Sequence, residues 1–180
     1  MSGGLVRAIW AQDRGGVIGA AGDMLWRVPA DFRFFRTSTL GGVLVLGRVT
    51  YESIGGVLDG REMVVITSQS AYRAPGAHVV PDLASALATA RQLAPAAPTG
   101  QVWIAGGGTI YQAALPFTDE CVVTTIDLDV RSDPTRQVAD AALVYAPPLP
   151  AAQWQPVQAD PQWRPRSGDA RWRVTTYRRR

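Results

Sequence analysis

The chain has no lysine. Its 18 basic residues are all arginine and face 15 acids, for a net charge of +3. So small an excess suits anionic small ligands as well as nucleic acid. Cys121 is the only cysteine, which excludes an internal disulfide and any cysteine-rich zinc site. Set in "ECVVTTI", it reads as a small buried hydrophobe. His78 is the only histidine, so a multi-histidine metal centre is excluded, and a Ser-His-Asp triad could use no other. No apolar run nears the roughly 18 residues of a spanning helix. The opening "MSGGLVRAIWAQDRGG" shows no basic region followed by an apolar core and a small-residue cleavage site. No membrane contact, no secretory signal and a cytoplasmic location are expected.

What is present is a globular composition, 47% hydrophobic and 18% charged. A length of 180 residues has room for one domain with a real core and is short for two, so residues 1–180 read as one domain. Apolar runs predict strands at 5–12, 42–47, 63–67, 77–80, 102–106 and 121–130. Helical patterns fall between them at 29–38, 48–54, 82–93 and 108–115. Short continuous strands separated by helices imply a largely parallel sheet covered on both faces. The last stretch changes character. "QWQPV" and "ARWRVTTYR", with "RPRSGD" between them, read as an antiparallel hairpin closing the sheet edge. Trp172, Val174 and Thr176 alternate there with Arg171, Arg173 and Thr175, as in a strand with one wet face. A nucleic-acid tail is the competing reading of those arginines. "APAAPTG" (94–100) and "VYAPPLPAAQ" (144–153) read as connections.

Three stretches carry chemistry. In "DMLWRVPADFRFFRTSTL", a helix from Pro29 turns by about 100° per residue, which puts Phe34, Phe35 and Phe32 in an arc around Asp31. Arg33 and Arg36 fall on the far side. A carboxylate therefore sits on the face that should be buried. Two readings stand level: a ligand-binding acid, or an acid serving the free N–H groups of a helix begun by Pro29. The second stretch, "VLVLGRVTYES", runs from strand through Gly47 to a helix start bearing Arg48 and Thr50. Free N–H groups and a cation there suit an anion, although a plain tight turn explains it too. "VWIAGGGTIYQAAL" repeats the design with Gly106, Gly107 and Gly108 ahead of Thr109. Bare backbone can approach a pyrophosphate closely. The Rossmann spacing fails at Tyr111, so a dinucleotide here implies another kind of fold.

In order and spacing these pieces resemble the dihydrofolate reductase family. "AIWAQDRGGVIG" is similar to its first strand and loop, "MLWRVPADFRFF" to its acid-bearing helix, and "LGRVTYESIG" to its first cofactor turn. "LDGREMVVITSQ" and "AGGGTIYQAALP" are similar to the folate-tail and glycine segments, and "VVTTIDLDV" follows at the expected place. The resemblance implies an α/β fold with a central mixed, mostly parallel eight-stranded sheet flanked by helices and a C-terminal antiparallel hairpin. It implies NADPH-dependent reduction of 7,8-dihydrofolate to tetrahydrofolate and binding of antifolates such as methotrexate or trimethoprim, with a monomer as the default expectation. No nucleic-acid partner is implied.

Roles carry over by position. Asp31 would grip the two donors at the amidine-like edge of the pterin, with Trp26 closing the site and Thr124 supporting the acid. Ile9, Ala11, Phe35, Ala105 and Tyr111 would wall the substrate. Leu58 would flank its benzoyl ring and Arg61 would grip its tail carboxylate. Ala11, Ile18 and Gly19 would meet the nicotinamide. Gly47, Arg48, Val49, Thr50, Thr67, Ser68 and Gln69 would hold the phosphorylated adenosine end. Gly106, Gly107, Gly108, Thr109, Ile110 and Tyr111 would form the pyrophosphate turn. Four positions depart from the family: Leu25 in place of Pro, a small Ala105, Thr109 in place of Arg, and Met63 in place of Asn near the tail. A reductase of the same fold acting on a riboflavin-pathway pyrimidine would leave Trp26, Asp31 and Arg61 together unexplained.

Overall fold

Alternation along single strands builds a sheet with two buried faces. The computed structural model describes residues 4–20, 22–136 and 138–180. In β1 (Val6–Gln12), Val6, Ala8 and Trp10 enter one apolar cluster and Ile9 enters another. In β3 (Val43–Gly47), Val43 and Val45 point one way and Leu44 and Leu46 the other, all fully buried. A strand dry on both faces needs cover on each. On the valine side, α3 (Leu83–Leu93) contributes Ala86, Leu87 and Ala90, and α4 (Gly108–Ala114) contributes Tyr111 and Ala114. On the leucine side, α1 (Pro29–Thr39) lays Phe34 and Phe35 against the core. Cys121 is buried on the valine side, where burial pushes its thiol up to about 12.

The remaining sheet strands are β4 (Glu62–Ile66), β5 (His78–Val80), β6 (Val102–Ile104), β7 (Glu120–Ile126), β9 (Trp154–Ala159), β10 (Arg164–Ser167) and β11 (Ala170–Arg179). They lie in the order β5-β4-β3-β6-β1-β7-β11-β10, with β9 also on β11. Pairing is parallel from β5 to β7 and antiparallel around β11. The sheet therefore has nine strands where eight were expected. The extra one is β10, formed by the segment read as a turn. With ten residues, β11 is long enough for β10 to pair near its start and β9 near its end. Both short strands contain a proline, Pro156 and Pro165.

Two further strands lie where none was expected. β2 (Val17–Ala20) and β8 (Leu143–Tyr145) pair antiparallel as a separate ribbon. Between β1 and β2, the fully buried Asp13 accepts the backbone N–H groups of Gly15, Val17 and Val130 at 2.8–2.9 Å. The predicted strand 121–130 stops at Ile126, where Leu128 donates back to the Ile126 carbonyl. The terminal arginines are tied into the fold. Arg171 pairs with Asp127, Arg178 with Glu120, and Arg179 bonds the Thr118 carbonyl. These arginines belong to a paired strand, the reading set against a basic tail. Among the described residues, no helix is long and apolar enough to cross a membrane.

Candidate active site

Pro29 starts α1 with a preset φ, but no side chain of the helix caps it. The cap comes from across the chain: Ser167 Oγ accepts the Ala30 N–H at 3.0 Å, while Asp169 accepts the Arg27 N–H at 2.7 Å just ahead of the helix. Asp31 is thereby released from capping, and among the described residues no backbone N–H donates to its carboxylate. Its side chain instead faces Thr124 on β7. Asp31 is 8% exposed, and burial raises its pKa to about 6, against the lowering effects of the Thr124 hydroxyl and the Arg164 charge. A carboxyl that titrates near neutrality in a cleft can orient a cation or share a proton. Replacing Thr124 with valine removes one lowering contact, so the Asp31 carboxyl should titrate above 6 in an NMR titration of the ligand-free protein. An unchanged value would place that hydroxyl outside the site.

Asp31 lies in a cleft of about 230 Å³, at the carboxyl ends of the parallel strands, where open α/β sheets place their sites. Ile9, Ala11, Ile18, Gly19, Phe35, Thr50, Ala105, Tyr111 and Thr124 line it, with Gly106, Gly107 and Gly108. The two glycine turns meet, since Gly47 N–H donates to the Gly106 carbonyl at 2.8 Å. A Cβ on Gly107 would lie 3.2 Å from Thr50 Oγ1, and one on Gly108 2.5 Å from a Val144 methyl. The backbone therefore occupies space a side chain cannot share. Tyr111 donates its hydroxyl to the Ile9 carbonyl at 2.5 Å and is held neutral by burial.

Other expected residues lie outside this lining. Trp26 is buried in the core cluster, and among the described residues its indole N–H has no hydrogen-bond partner. Leu58 is buried in the same cluster. Arg61 sits at the end of α1, donating to Thr39 Oγ1 at 2.9 Å and to the Asp59 and Arg36 carbonyls. Burial first, and then the neighbouring Arg36, lowers its pKa. Met63 is fully buried in the core. Around α2 (Arg48–Ser53), Arg48 pairs with Glu52 at 3.0 Å and lies over the Tyr72 ring, Val49 is exposed, and Thr67 accepts from the Gln69 N–H. Ser68 and Thr109 are exposed, and Ile110 is half-buried.

Sequence reading missed several parts of this arrangement. Phe32, placed in the buried arc, is 42% exposed at the mouth of the cleft, because about 100° from Asp31 it stands at the arc's edge. Trp10, Phe34, Ser53, Ile54 and Val144 also line the cleft. Val144 could have been suspected from the short apolar "LVYA" ahead of its prolines. Arg164 had no signal, since its proximity to Asp31 depends on β10 existing.

Comparison with known proteins bears on this geometry. The family profile described as "Dihydrofolate reductase" matches residues 5–179. Dihydrofolate reductase of Mycobacterium tuberculosis (strain ATCC 25618 / H37Rv) is 38% identical over 140 residues, covering 76% of this chain and 78% of that protein. The Enterococcus faecium enzyme is 37% identical over 128 residues, covering 70% and 74%. The structure of dihydrofolate reductase from Enterococcus faecalis complexed with NADP(H) and RAB-propyl superposes with a TM-score of 0.81. It is 30% identical, and the match covers 98% of this chain and 97% of that one.

Proposed function

The chain belongs to the dihydrofolate reductase family, and from that premise we infer that it reduces 7,8-dihydrofolate to tetrahydrofolate with NADPH. The observation that carries the site assignment is the buried Asp31 carboxyl, raised to about 6 in a cleft floored by bare glycine backbone. Its two oxygens accept the paired donors at the pterin edge, which fixes the ring and favours its protonated form. Ile9, Ala11, Phe35, Ala105 and Tyr111 wall the ring, and Thr124 steadies the acid. Trp26 closes the site from behind, its unpaired N–H available to a water. Leu58 flanks the benzoyl group. Three of the five N–H donors of Arg61 are bonded inside the protein, which leaves two for the tail carboxylate.

NADPH, when bound, supplies the hydride to the carbon beside the imine nitrogen. The residues present suit it. Among the described residues, no side chain caps α2 at Gly47 or α4 at Gly107, so their first N–H groups are available to anionic oxygens. Gly106, Gly107, Gly108, Thr109 and Ile110 hold the pyrophosphate. Gly47, Arg48, Val49, Thr50, Thr67, Ser68 and Gln69 hold the phosphorylated adenosine, and Ile18 and Gly19 face the nicotinamide. The imine nitrogen takes its proton from a water, and Asp31 holds the matching charge. The productive complex therefore carries one proton more than ionised Asp31 with neutral substrate. It follows that kcat/KM declines as pH rises through about 6. We further place the chain in the cytoplasm as a monomer, acting as one domain and bound by antifolates of the methotrexate or trimethoprim type.

The direct test is loss of NADPH absorbance on adding dihydrofolate, repeated with NADH and with a riboflavin-pathway pyrimidine. Oxidation only with the pyrimidine would overturn the assignment. Arg48→Gln should narrow the preference for NADPH over NADH by about tenfold, the value of a lost charged hydrogen bond. An unchanged ratio would place the phosphate contact elsewhere.

A further inference from the structure

β10 is docked along α1 on both sides of Asp31. At one end, Ser167 accepts the Ala30 N–H at 3.0 Å. At the other, the Arg164 guanidinium lies 5.5 Å from the Phe34 ring centre and 4.5 Å from that of Trp172. Residues 30 and 34 are about one helical turn apart, and Asp31 lies between them. Asp160 grips the guanidinium, 2.6 Å from Nε and 3.2 Å from a terminal nitrogen. The same carboxylate accepts the Val174 N–H at 2.9 Å, and Val174 pairs across the sheet with Thr124. The ion pair thus joins the helix carrying Asp31 to the strand beside its hydrogen-bond partner.

We propose that Arg164, clamped along α1 by Asp160, Phe34 and Trp172, is a positioning residue for Asp31 and that its charge helps fix the pH range of turnover. The inference rests on the reading of Asp31 given above. Among the described residues lining the cleft there is no basic side chain, so Arg164 is the cation that acts on the acid. The other groups facing Asp31 cannot replace it. From β7 comes the neutral Thr124, from β1 the apolar Ile9 and Ala11, and from α4 the un-ionised Tyr111. Among the described residues, the only other charged lining group is Asp23, exposed and of the wrong sign. The Phe34 and Trp172 rings and the two bonds to Asp160 fix where the guanidinium stands, so its charge keeps one position relative to α1.

Two substitutions should move Asp31 in opposite directions. Arg164→Met removes the cation and leaves Asp160 unopposed, so the Asp31 carboxyl should titrate higher than in wild type. Asp160→Asn leaves the cation unopposed and should lower it, while Arg164→Lys, which keeps the charge, should stay near wild type. The measurement is a carboxyl-carbon NMR titration of the ligand-free protein, with Asp31→Asn identifying the signal. The pH at which kcat/KM declines should follow the same order. A merely structural role would disturb both variants alike, so shifts of one sign, or none, would overturn the proposal. If the ligand-free titrations move as expected but wild-type protein leaves NADPH unoxidised by dihydrofolate, the substrate assignment fails and the coupling stands.

Discussion

The Asp31→Asn substitution should cost at least about a hundredfold in kcat/KM for dihydrofolate at pH 7, the range set by one positioned acid–base group. Asparagine keeps the shape and one acceptor oxygen but carries no charge to match a protonated pterin. NADPH affinity should be unchanged, because the glycine turns and Arg48 are untouched. The same substitution should make the ligand-free protein more stable. The native pKa of Asp31, about 6, lies above its ordinary 3.8. Stability from this raised group is fully present below about 3.8 and lost as pH rises through 6. Above that the fold carries a buried charge that costs about 3 kcal/mol. The asparagine side chain never ionises, so the melting temperature of the variant at pH 8 should exceed wild type by roughly 5–10 °C, with near equality at about pH 3.5. Equal melting temperatures at pH 8 would mean that Asp31 is not held in a costly environment. Near-normal turnover would remove it from the mechanism.

Gly168→Ala should be the most damaging single methyl in the described fold. Gly168 has φ +60, and a Cβ there would lie 2.3 Å from the Arg27 carbonyl oxygen and 3.0 Å from Pro29 Cδ. The left-handed conformation alone costs about 1 kcal/mol or more with a side chain. The clash cannot relax by a rotamer change, because its partner is backbone. Asp169 pins that backbone, exchanging hydrogen bonds with Arg27 at 2.7 and 2.9 Å. A loss of about 3 kcal/mol or more and a melting temperature lower by roughly 10 °C should follow. Dihydrofolate turnover should fall with it, because the displaced residues lead into α1. A melting temperature within a degree or two of wild type would show that the turn has room to shift.

Much of this was legible in the sequence because the relevant physics is local. The continuous apolar run in "VLVLG" marks a strand dry on both faces, and three glycines before a helix mark a cradle. Asp31 stood out because a charge on an apolar face needs a reason. Helix ends fell within a residue or so, since Pro29 and Asp82 mark their own starts. The failures have a common cause. β2, β8 and β10 are three or four residues long, too short to show a period, and they form only because a distant partner supplies the other half of the ladder. Arg164 was hidden for the same reason. Phe32 shows how far a helical projection reaches: it puts the ring at the edge of the arc and does not say which side of that edge the core covers.

The prolines of β9 and β10 act beyond the single molecule. A sheet border is a template on which another chain can add a strand, and fibrous aggregation starts from such borders. Here one border is divided between two short segments, each with a backbone position that has no hydrogen to donate. The opposite border, β5, offers only three residues. Neither margin presents an uninterrupted run of pairing groups, so concentrated or newly made protein is guarded against sheet-to-sheet association without a lysine to supply the usual charge.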